Sequence, residues 1–220
     1  MKNKKVIAIV SGGLDSTVML YWLLKIKKVT PIVLSFNYNQ RHKKELGCIK
    51  QIASELKLQH KIIKLPISDI VNSSALINKT KKLPKEHYTH ENQKITVVAN
   101  RNMIMLSIAV AYAENLGIKK VYYAAHKNDE SIYLDCRKKF VEQLSKATQL
   151  ATYNKVKVIA PFVNKYKSDL VKIGNQLKVP FEKTMSCYEG RKKACGLCAT
   201  CQERIEAFIK NNLIDPIEYE

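Results

Sequence analysis

The sequence contains no run of about 18 consecutive apolar residues, the length that a membrane-spanning helix needs. An integral membrane protein is therefore excluded. The apolar run near the amino terminus, residues 6–10, is five residues long, which is shorter than the roughly 7 to 15 residues of a signal-peptide core. We therefore expect a cytoplasmic protein, in which clustered cysteines more often bind a metal than form disulfides.

The sequence also has few acidic residues and few arginines. Its 38 Lys and Arg residues outnumber 19 Asp and Glu residues, which gives a formal net charge of +19. Only five of the basic residues are arginine, whereas specific readers of phosphates and base edges rely on the arginine fork. We interpret the scattered lysines as solvated surface charge that also suits an anionic substrate, and direct nucleic-acid binding is the less favoured alternative.

The 220 residues suffice for one or two domains with a sizeable core. Short β-branched runs alternate with apolar residues at helical spacing, which predicts an α/β fold with a parallel five-stranded sheet and helices on both faces. The predicted strands are residues 6–10, 32–36, 61–65, 120–125 and 156–160, and the predicted helices are residues 16–27, 42–57, 101–116, 137–150, 167–177 and 201–212.

A glycine-rich motif, Ser-Gly-Gly-Leu-Asp-Ser-Thr, occupies residues 11–17 between the first predicted strand and helix. Its glycines let the backbone approach a ligand, and the helix amino terminus directs unpaired N–H groups at an anion. The alternative is a plain strand-to-helix turn with Asp15 or Ser16 as the N-cap. The Gly-Lys-Ser/Thr of a Walker A motif is missing, which argues against γ-phosphoryl transfer of the usual kind.

The complete motif resembles the PP-loop of the ATP pyrophosphatase family. Such enzymes split ATP between its α and β phosphates, adenylate a substrate oxygen and release pyrophosphate. The resemblance implies a fold like that of the adenine-nucleotide α-hydrolases and a site for ATP with Mg²⁺. The residues that it assigns to ATP are Val10, Ser11, Gly12, Gly13, Leu14, Asp15, Ser16 and Thr17.

Four of the six cysteines lie close together near the carboxyl terminus, with the spacing C-x7-C-x2-C-x2-C. Four thiolates can close a tetrahedral structural zinc site, and Gly196 permits the turn between two of them. The spacing also resembles that of iron–sulfur proteins, and four unmetallated cysteines are the third alternative. For Cys136, beside Arg137, a buried inert thiol is favoured over an activated one. The predicted metal ligands are Cys187, Cys195, Cys198 and Cys201.

Three polar strings follow predicted strands or open predicted helices: Tyr-Asn-Gln-Arg-His at 38–42, Asn-Arg-Asn-Met at 100–103 and Tyr-Leu-Asp-Cys-Arg at 133–137. We expect all three at the carboxyl edge of the sheet, where α/β folds bind ligands. With the PP-loop and the cysteines, they make essentially the whole chain resemble the 7-cyano-7-deazaguanine synthase family. That family converts 7-carboxy-7-deazaguanine, ammonia and ATP to the nitrile in queuosine biosynthesis, through adenylated acid and amide, releasing AMP and pyrophosphate.

The three strings supply the remaining candidate residues. We expect Arg41 and Arg101 to pair with ATP phosphates or the substrate carboxylate, because a guanidinium offers paired donors to either. Asp135 and Asn102 are candidates for binding the deazaguanine, and His42 for managing the ammonia proton. The predicted catalytic residues are Arg41, His42, Arg101 and Asp135, and the predicted substrate-binding residues are Tyr38, Gln40, Asn102 and Arg137.

The sequence departs from the family pattern at three positions. Ala99 and Leu134 stand where proline is common, and Ala124 stands where many members have glycine. Losing two prolines loosens turns near the substrate pocket without removing a reacting group. Activity is therefore expected, while the nitrile and the amide both remain open as products.

The predicted organisation has two parts. Residues 1–180 form the nucleotide-binding domain, with a polar lid or insertion at 67–94, and residues 181–220 form a zinc-binding segment with a closing helix. We expect a homodimer that acts on small molecules. The alternatives are a PP-loop ligase or thiolase that modifies tRNA, a relative that stops at the amide or modifies a macromolecule, and a non-enzymatic zinc module that binds nucleic acid.

Overall fold

A computed structural model describes residues 4–85 and 94–220. Within these ranges five parallel strands form one sheet in the order β3-β2-β1-β4-β5, which confirms the predicted fold class. Strand β4 ends three residues earlier than predicted, because its partner β5 is also only three residues long. The strands are β1 (Lys5–Ile9), β2 (Thr30–Asn37), β3 (His60–Lys64), β4 (Lys120–Tyr122) and β5 (Lys157–Ile159).

Helices cover both faces of the sheet, and their bounds lie within three residues of the predicted ones where a helix was predicted. Short 3₁₀ turns lie at Lys127–Ser131, Leu134–Cys136 and Phe181–Lys183. In the described residues, no helix is both long enough and apolar enough to span a bilayer. The helices are α1 (Leu14–Lys25), α2 (Lys44–Glu55), α3 (Ile67–Ile70), α4 (Arg101–Asn115), α5 (Lys138–Leu150), α6 (Lys167–Gln176) and α7 (Ala199–Ile209).

Strand β1 lies at the centre of the sheet, and its side chains alternate between two apolar layers. Ile7 packs in the layer that contains α4 and α5, whereas Val6 and Ala8 pack in the layer that contains α1, α2, α6 and α7. All three side chains are at most 2% exposed, as expected for a parallel strand covered on both faces. Strand β1 is followed in the chain by β2, which pairs with it on one side, whereas β4 pairs with it on the other side. The strand order therefore reverses at β1, and a crevice forms at the carboxyl ends of β1 and β4.

The connection after β3 was predicted to be a lid or insertion over residues 67–94. Its described part begins with α3 and then places Ala75 and Leu76 in the core, each at most 1% exposed. Residues 86–93 of this segment lie outside the described residues. The part before them is therefore anchored to the core by apolar burial.

The carboxyl-terminal segment is held together by Arg204 of α7, which is only 1% exposed. Its guanidinium donates two hydrogen bonds to Asp215, at 2.7 and 2.9 Å. It also donates to Thr184 Oγ1 at 2.8 Å and to the Phe181 carbonyl at 3.1 Å. A buried guanidinium is stable only when its donors are satisfied in this way. The ion pair holds α7 to Asp215, and the other two hydrogen bonds hold it against residues 181–184.

Two glycines in helices give a matched test of the packing. A Cβ at Gly174 in α6 would lie 2.4 Å from Phe181 Cζ, whereas a Cβ at Gly47 in α2 meets nothing within 4 Å. We expect Gly47→Ala to raise the free energy of unfolding by about 0.5–1 kcal/mol, because alanine favours the helix. Gly174→Ala should lower it by about 1–3 kcal/mol, because overpacking outweighs the same gain. Urea denaturation measures both, and equal stabilisation by the two variants would contradict the packing described.

Candidate active site

The loop of residues 10–17 turns sharply between β1 and α1. Gly12 has φ +100°, and a Cβ there would lie 2.0 Å from the backbone oxygen of Glu45 in α2. Only glycine fits this position. The N-cap residue of α1 is Gly13, so Asp15 or Ser16 as the N-cap was wrong. Because glycine carries no capping side chain, the amino terminus of α1 faces the crevice with its backbone donors.

Hydroxyl groups hold the loop in this shape. The Ser11 N–H donates to Ser16 Oγ at 3.2 Å, and the Gly13 N–H donates to Ser11 Oγ at 3.1 Å. Thr17 Oγ1 donates to the Gly13 carbonyl at 2.8 Å. The loop is thus organised before any ligand enters, and such preorganisation lowers the cost of binding.

A cavity of about 240 Å³ opens from the loop toward the carboxyl ends of β1, β2 and β4. One wall is the loop itself, and another comes from the carboxyl-terminal segment. Polar and aromatic side chains converge on this space from seven separate stretches of the chain. Beyond the loop, the polar and aromatic lining residues include Tyr38, Gln40, His42, Glu45, Arg101, Asn102, Tyr123, His126, Asp129, Tyr133, Lys167, Ser186, Tyr188, Thr200 and Glu203.

An ion-pair cluster surrounds the loop residue Asp15. Its Oδ2 lies 3.5 Å from Lys167 Nζ and 3.5 Å from His126 Nε2. His126 Nε2 is also 3.5 Å from Asp129 Oδ2, and Lys167 Nζ is 2.7 Å from Glu203 Oε2. The cluster joins the loop, the turn after β4, the start of α6 and α7, so it fixes the relative positions of these elements at the cavity.

The cluster sets the charge of its members. Burial alone raises the pKa of Asp15, but Lys167 and His126 outweigh it and hold that pKa below its ordinary value. Burial alone lowers the pKa of His126, but Asp129 and Asp15 raise it to about 9. At neutral pH, Asp15 is therefore ionised and His126 is protonated.

Arg101 is the first residue of α4 and lies in the cavity wall. Its Nη1 donates to the Tyr38 hydroxyl at 3.1 Å, and its guanidinium carbon lies 5.8 Å from the Tyr38 ring centroid and 5.9 Å from that of Tyr133. Two aromatic rings thus hold a charged guanidinium rigidly by cation–π contact. Its remaining N–H groups suit a planar anion such as a carboxylate.

Asp135, expected in the site, does not line the cavity and instead binds the amino terminus of α4. Its Oδ2 accepts the backbone N–H of Asn102 at 2.9 Å, which satisfies an amino-terminal donor of α4. The side chain of Asn102 donates to Cys136 Sγ at 3.2 Å. Cys136 is buried, and burial raises the pKa of its thiol well above the ordinary value. This favours the buried, inert thiol over the activated one.

Arg41 and Arg137 do not line the cavity. Arg41 Nη2 donates to the carbonyl oxygens of Asn78 and Lys81, at 3.1 and 2.6 Å, and so anchors the segment after α3. Arg137 Nε donates to the Glu130 carbonyl at 3.0 Å, on an exposed surface. The structure therefore leaves Arg101 as the predicted arginine that lies at the site.

His42 and Gln40 lie in the cavity wall, but neither is free for chemistry. Burial, with Arg101 nearby, lowers the pKa of His42 to about 3, so the ring stays neutral at neutral pH. A ring with so low a pKa is a poor acceptor for an ammonium proton. Gln40 accepts the Tyr38 N–H at 2.9 Å and donates to the Phe36 carbonyl at 3.2 Å, which fixes the turn after β2.

The four predicted metal ligands come together. The sulfur atoms of Cys187, Cys195, Cys198 and Cys201 all lie within 4.8 Å of one another. Cys198 Sγ is 3.4 Å from Cys201 Sγ, and Cys195 Sγ is 4.0 Å from it. Thiolates bound tetrahedrally at 2.3 Å from zinc are about 3.8 Å apart, so the cluster fits a four-coordinate ion.

Backbone groups complete the cysteine cluster. The Cys195 N–H donates to Cys187 Sγ at 3.4 Å, and the Cys198 N–H donates to Cys195 Sγ at 3.3 Å. Gly196, with φ +68°, makes the turn between them. Such donors stabilise negative charge on sulfur, which suits thiolate ligands.

The cysteine cluster and the cavity share one wall. Ser186 and Tyr188 flank Cys187 and line the cavity, as does Thr200 between two other cysteines. Thr200 Oγ1 donates to the Ser186 carbonyl at 2.8 Å, and Ser186 Oγ accepts the Leu14 N–H at 3.5 Å. A metal bound to the four sulfurs would therefore hold a segment that contacts the phosphate loop.

Sequence reasoning missed five charged residues that line the cavity: Glu45, His126, Asp129, Lys167 and Glu203. His126 and Asp129 follow β4, the neighbour of β1 across the topological switch, so the crevice rule offered a signal for them. Lys167 is one of 33 lysines and carries no local signal.

The parallel sheet, the strand-to-helix phosphate loop and the polar crevice place the chain in the PP-loop class. The fold is similar to that of the U34-tRNA thiolase NcsA from Methanococcus maripaludis, with a TM-score of 0.55, 17% identity, and coverage of 96% of this chain and 67% of that one. It is also similar to NMN synthetase from Francisella tularensis, with a TM-score of 0.53, 17% identity, and coverage of 97% and 79%.

The model of the family described as Queuosine biosynthesis protein QueC matches residues 5–212. The chain belongs to this family. It is 43% identical over 219 residues to a 7-cyano-7-deazaguanine synthase of Psychromonas ingrahamii, with 99% of each chain covered. It is 45% identical over 218 residues to the same-named protein of Pseudoalteromonas atlantica, again with 99% of each covered.

The raised pKa of His126 predicts a pH dependence of stability. Because its folded pKa of about 9 exceeds the ordinary 6.5, its contribution is complete below pH 6.5 and is lost as the pH rises through 9. We expect the difference in free energy of unfolding between wild type and His126→Gln to shrink by about 3 kcal/mol over this range. Denaturation at pH 6.5, 8 and 9.5 measures it.

The matched control for that series is His60→Gln. Burial lowers the pKa of the half-buried His60, which is the opposite direction from His126, so its substitution should not produce a difference that shrinks as the pH rises from 6.5 to 9.5. A difference between wild type and His126→Gln that stays constant from pH 6.5 to 9.5 would show that His126 is not charged in the folded protein.

Proposed function

We propose that this chain is an ATP-dependent carbon–nitrogen ligase of queuosine biosynthesis, a 7-cyano-7-deazaguanine synthase. It converts 7-carboxy-7-deazaguanine and ammonia to the nitrile and releases AMP and pyrophosphate. Membership of the QueC family supports this activity. The observation that carries it is geometric: the phosphate loop and the guanidinium of Arg101 line the same cavity of about 240 Å³. One site can thus hold nucleotide phosphates and a carboxylate together.

The chemistry requires two activations. A carboxylate is a poor electrophile, so its oxygen first attacks the α phosphate of ATP and pyrophosphate leaves. Ammonia then attacks the acyl carbon, the bond to AMP breaks and an amide forms. Adenylation of the amide oxygen and loss of a second AMP yield the nitrile. The enzyme mainly positions reactants and stabilises charge, because it supplies no nucleophile of its own.

The phosphate loop serves both adenylations. Its backbone donors, with the hydroxyls of Ser11 and Ser16, surround the place for the departing pyrophosphate, and the buried Thr17 hydroxyl supports the loop through the Gly13 carbonyl. Asp15 holds Lys167 and His126 beside the loop, at 3.5 Å each. These two cations offset the negative charge of Asp15, so the phosphates meet no uncompensated carboxylate at that position of the loop.

Arg101 is the residue that we assign to the substrate carboxylate. Its two aromatic contacts and its hydrogen bond to Tyr38 fix the guanidinium at the cavity wall. The neighbouring Asn102 also lines the cavity, and we propose that it contacts the deazaguanine. Arg41 does not contact the substrate in this assignment. It affects the cavity indirectly, because it holds the segment of residues 78–81 against the turn after β2.

We propose that the four cysteines hold one structural zinc ion. Four thiolate ligands suit zinc, and four protein ligands leave no open position for catalysis. Mg²⁺ bound with ATP would neutralise phosphate charge. The division into residues 1–180 and 181–220, the homodimer and the cytoplasmic location stay predictions, as does the absence of direct nucleic-acid binding.

The reaction itself is the main test. Purified protein incubated with the deazaguanine acid, ammonium and Mg-ATP should yield the nitrile by mass spectrometry, with two AMP and two pyrophosphate formed per nitrile. An amide as the final product, with one AMP each, would favour the relative that stops halfway. Accumulation of ADP would contradict adenylation altogether.

A pair of arginine variants tests the assignment of the carboxylate. We expect Arg101→Ala to lower kcat/KM for the deazaguanine acid by about 100-fold or more, because a charge-assisted pair is lost in a buried cavity. The KM for ATP should change by less than about threefold, since the loop binds ATP. Arg41→Ala should lower kcat/KM far less. Steady-state kinetics measure both, and a larger loss in Arg41→Ala would reverse the assignment.

Metal analysis tests the cysteine cluster. We expect elemental analysis to find about one zinc per chain, and Cys201→Ala to lose it and to lower the free energy of unfolding, because bound structural metal stabilises the fold. Cys48→Ala is the matched control, since Cys48 lies outside the cluster and should leave the metal in place. Iron with visible absorbance would identify an iron–sulfur cluster instead.

A further inference from the structure

One buried acid beside the phosphate loop has no part in the proposed reaction. Glu45 lies in the first turn of α2 and is 9% exposed. Its Oε1 lies 3.7 Å from where a Cβ would be at Gly13, and its backbone oxygen lies 2.0 Å from where one would be at Gly12. The side chain therefore reaches over the loop, and it lines the cavity with Ser11.

No close cation among the described residues pairs with Glu45. Its carboxylate accepts a hydrogen bond from the Ser11 hydroxyl. In residues 4–85 and 94–220, the ion pairs within 4.0 Å do not include Glu45. Burial outweighs the attraction of more distant cations and raises its pKa to about 7. The charged and titratable groups that face it are Asp15, Tyr38, Cys48, Arg101 and Lys167.

Nucleotide phosphates would bring more negative charge to the same loop. Two unpaired anions in a buried cavity repel each other strongly, and the second then favours its neutral form. The start of α2 packs closely against Gly12. Glu45 therefore cannot move away from the phosphates by a shift of its helix. A protonated carboxyl group removes the repulsion and has an O–H that can donate to a phosphate oxygen, which a carboxylate cannot do.

We propose that Glu45 binds the nucleotide in its protonated form, so that the protein takes up one proton from solvent when ATP enters the loop. The Glu45 O–H then donates a hydrogen bond to a phosphate oxygen, and no covalent bond changes. The inference rests on the proposed function only in that the loop of residues 10–17 binds the phosphates of ATP.

Calorimetry measures the proton directly. Mg-ATP is titrated into the wild-type protein at pH 8, without the acid substrate, in buffers of different ionisation enthalpy. At that pH the nucleotide phosphates are already ionised. With a free pKa of about 7, Glu45 should take up about 0.9 proton per ATP at pH 8 and about 0.5 at pH 7, and His126 adds about 0.1 at pH 8. The Kd should rise about 20-fold from pH 7 to pH 8.5.

Two variants identify the group that takes up the proton. Glu45→Gln keeps an N–H donor but cannot titrate, so uptake should fall to about 0.1 proton, the share that His126 adds with its pKa of about 9. Its Kd should vary by less than about twofold from pH 7 to pH 8.5. Glu55→Gln, an exposed acid on the same helix, should behave like wild type.

The possible results of these titrations distinguish a failure of the Glu45 proposal from a failure of the proposed function. Binding of Mg-ATP by the wild type with no proton uptake overturns the role of Glu45 and leaves the phosphate loop intact. Uptake that persists in Glu45→Gln also overturns it, because another group then takes the proton. If the wild type binds no nucleotide at all, the proposed function fails and the inference fails with it.

Discussion

The close approach between the turn at Gly12 and the first turn of α2 is the constraint on which the site depends. Because the backbone oxygen of Glu45 lies where a Cβ would be, the loop and the helix are fixed together. On its other side the Gly12 carbonyl accepts the Met185 N–H at 3.2 Å. The loop is thus clamped between α2 and the carboxyl-terminal segment, and its backbone donors face the crevice between β1 and β4.

The electrostatics of the site differ from those of the whole chain. The formal net charge is +19, yet the cavity wall carries acidic and basic groups in nearly equal number. Lys167 and His126 are committed to Asp15, and Arg101 remains available to an anion. The site is therefore balanced before a ligand binds, and the phosphates of ATP must be compensated by backbone donors, Mg²⁺ and protons rather than by a general excess of lysine.

Features carried by local pattern could be predicted from the sequence. Alternating periodicity predicted the five strands, and compact motifs predicted the phosphate loop and the cysteine cluster, because each needs residues close together in the chain. Side-chain direction could not be predicted. Arg41 follows a strand and Arg101 opens a helix, and both were expected at the site. Only Arg101 lies at the cavity, because Arg41 satisfies carbonyl groups of the segment after α3. Lys167 and Glu45 lie far apart in sequence, and only tertiary packing brings them to one loop.

The carboxyl-terminal segment links the cysteine cluster to the cavity through position alone. Ser186, next to Cys187, accepts a hydrogen bond from the amino terminus of α1, and Arg204 holds α7 in place.

The central claim remains that the loop directs attack of a carboxylate oxygen on the α phosphate. Isotopic labelling tests this most directly: the acid substrate carries ¹⁸O at both carboxylate oxygens, and the nucleotide products are followed by ³¹P NMR. The account predicts ¹⁸O in AMP and none in pyrophosphate. Label in inorganic phosphate, formed together with ADP, would contradict it.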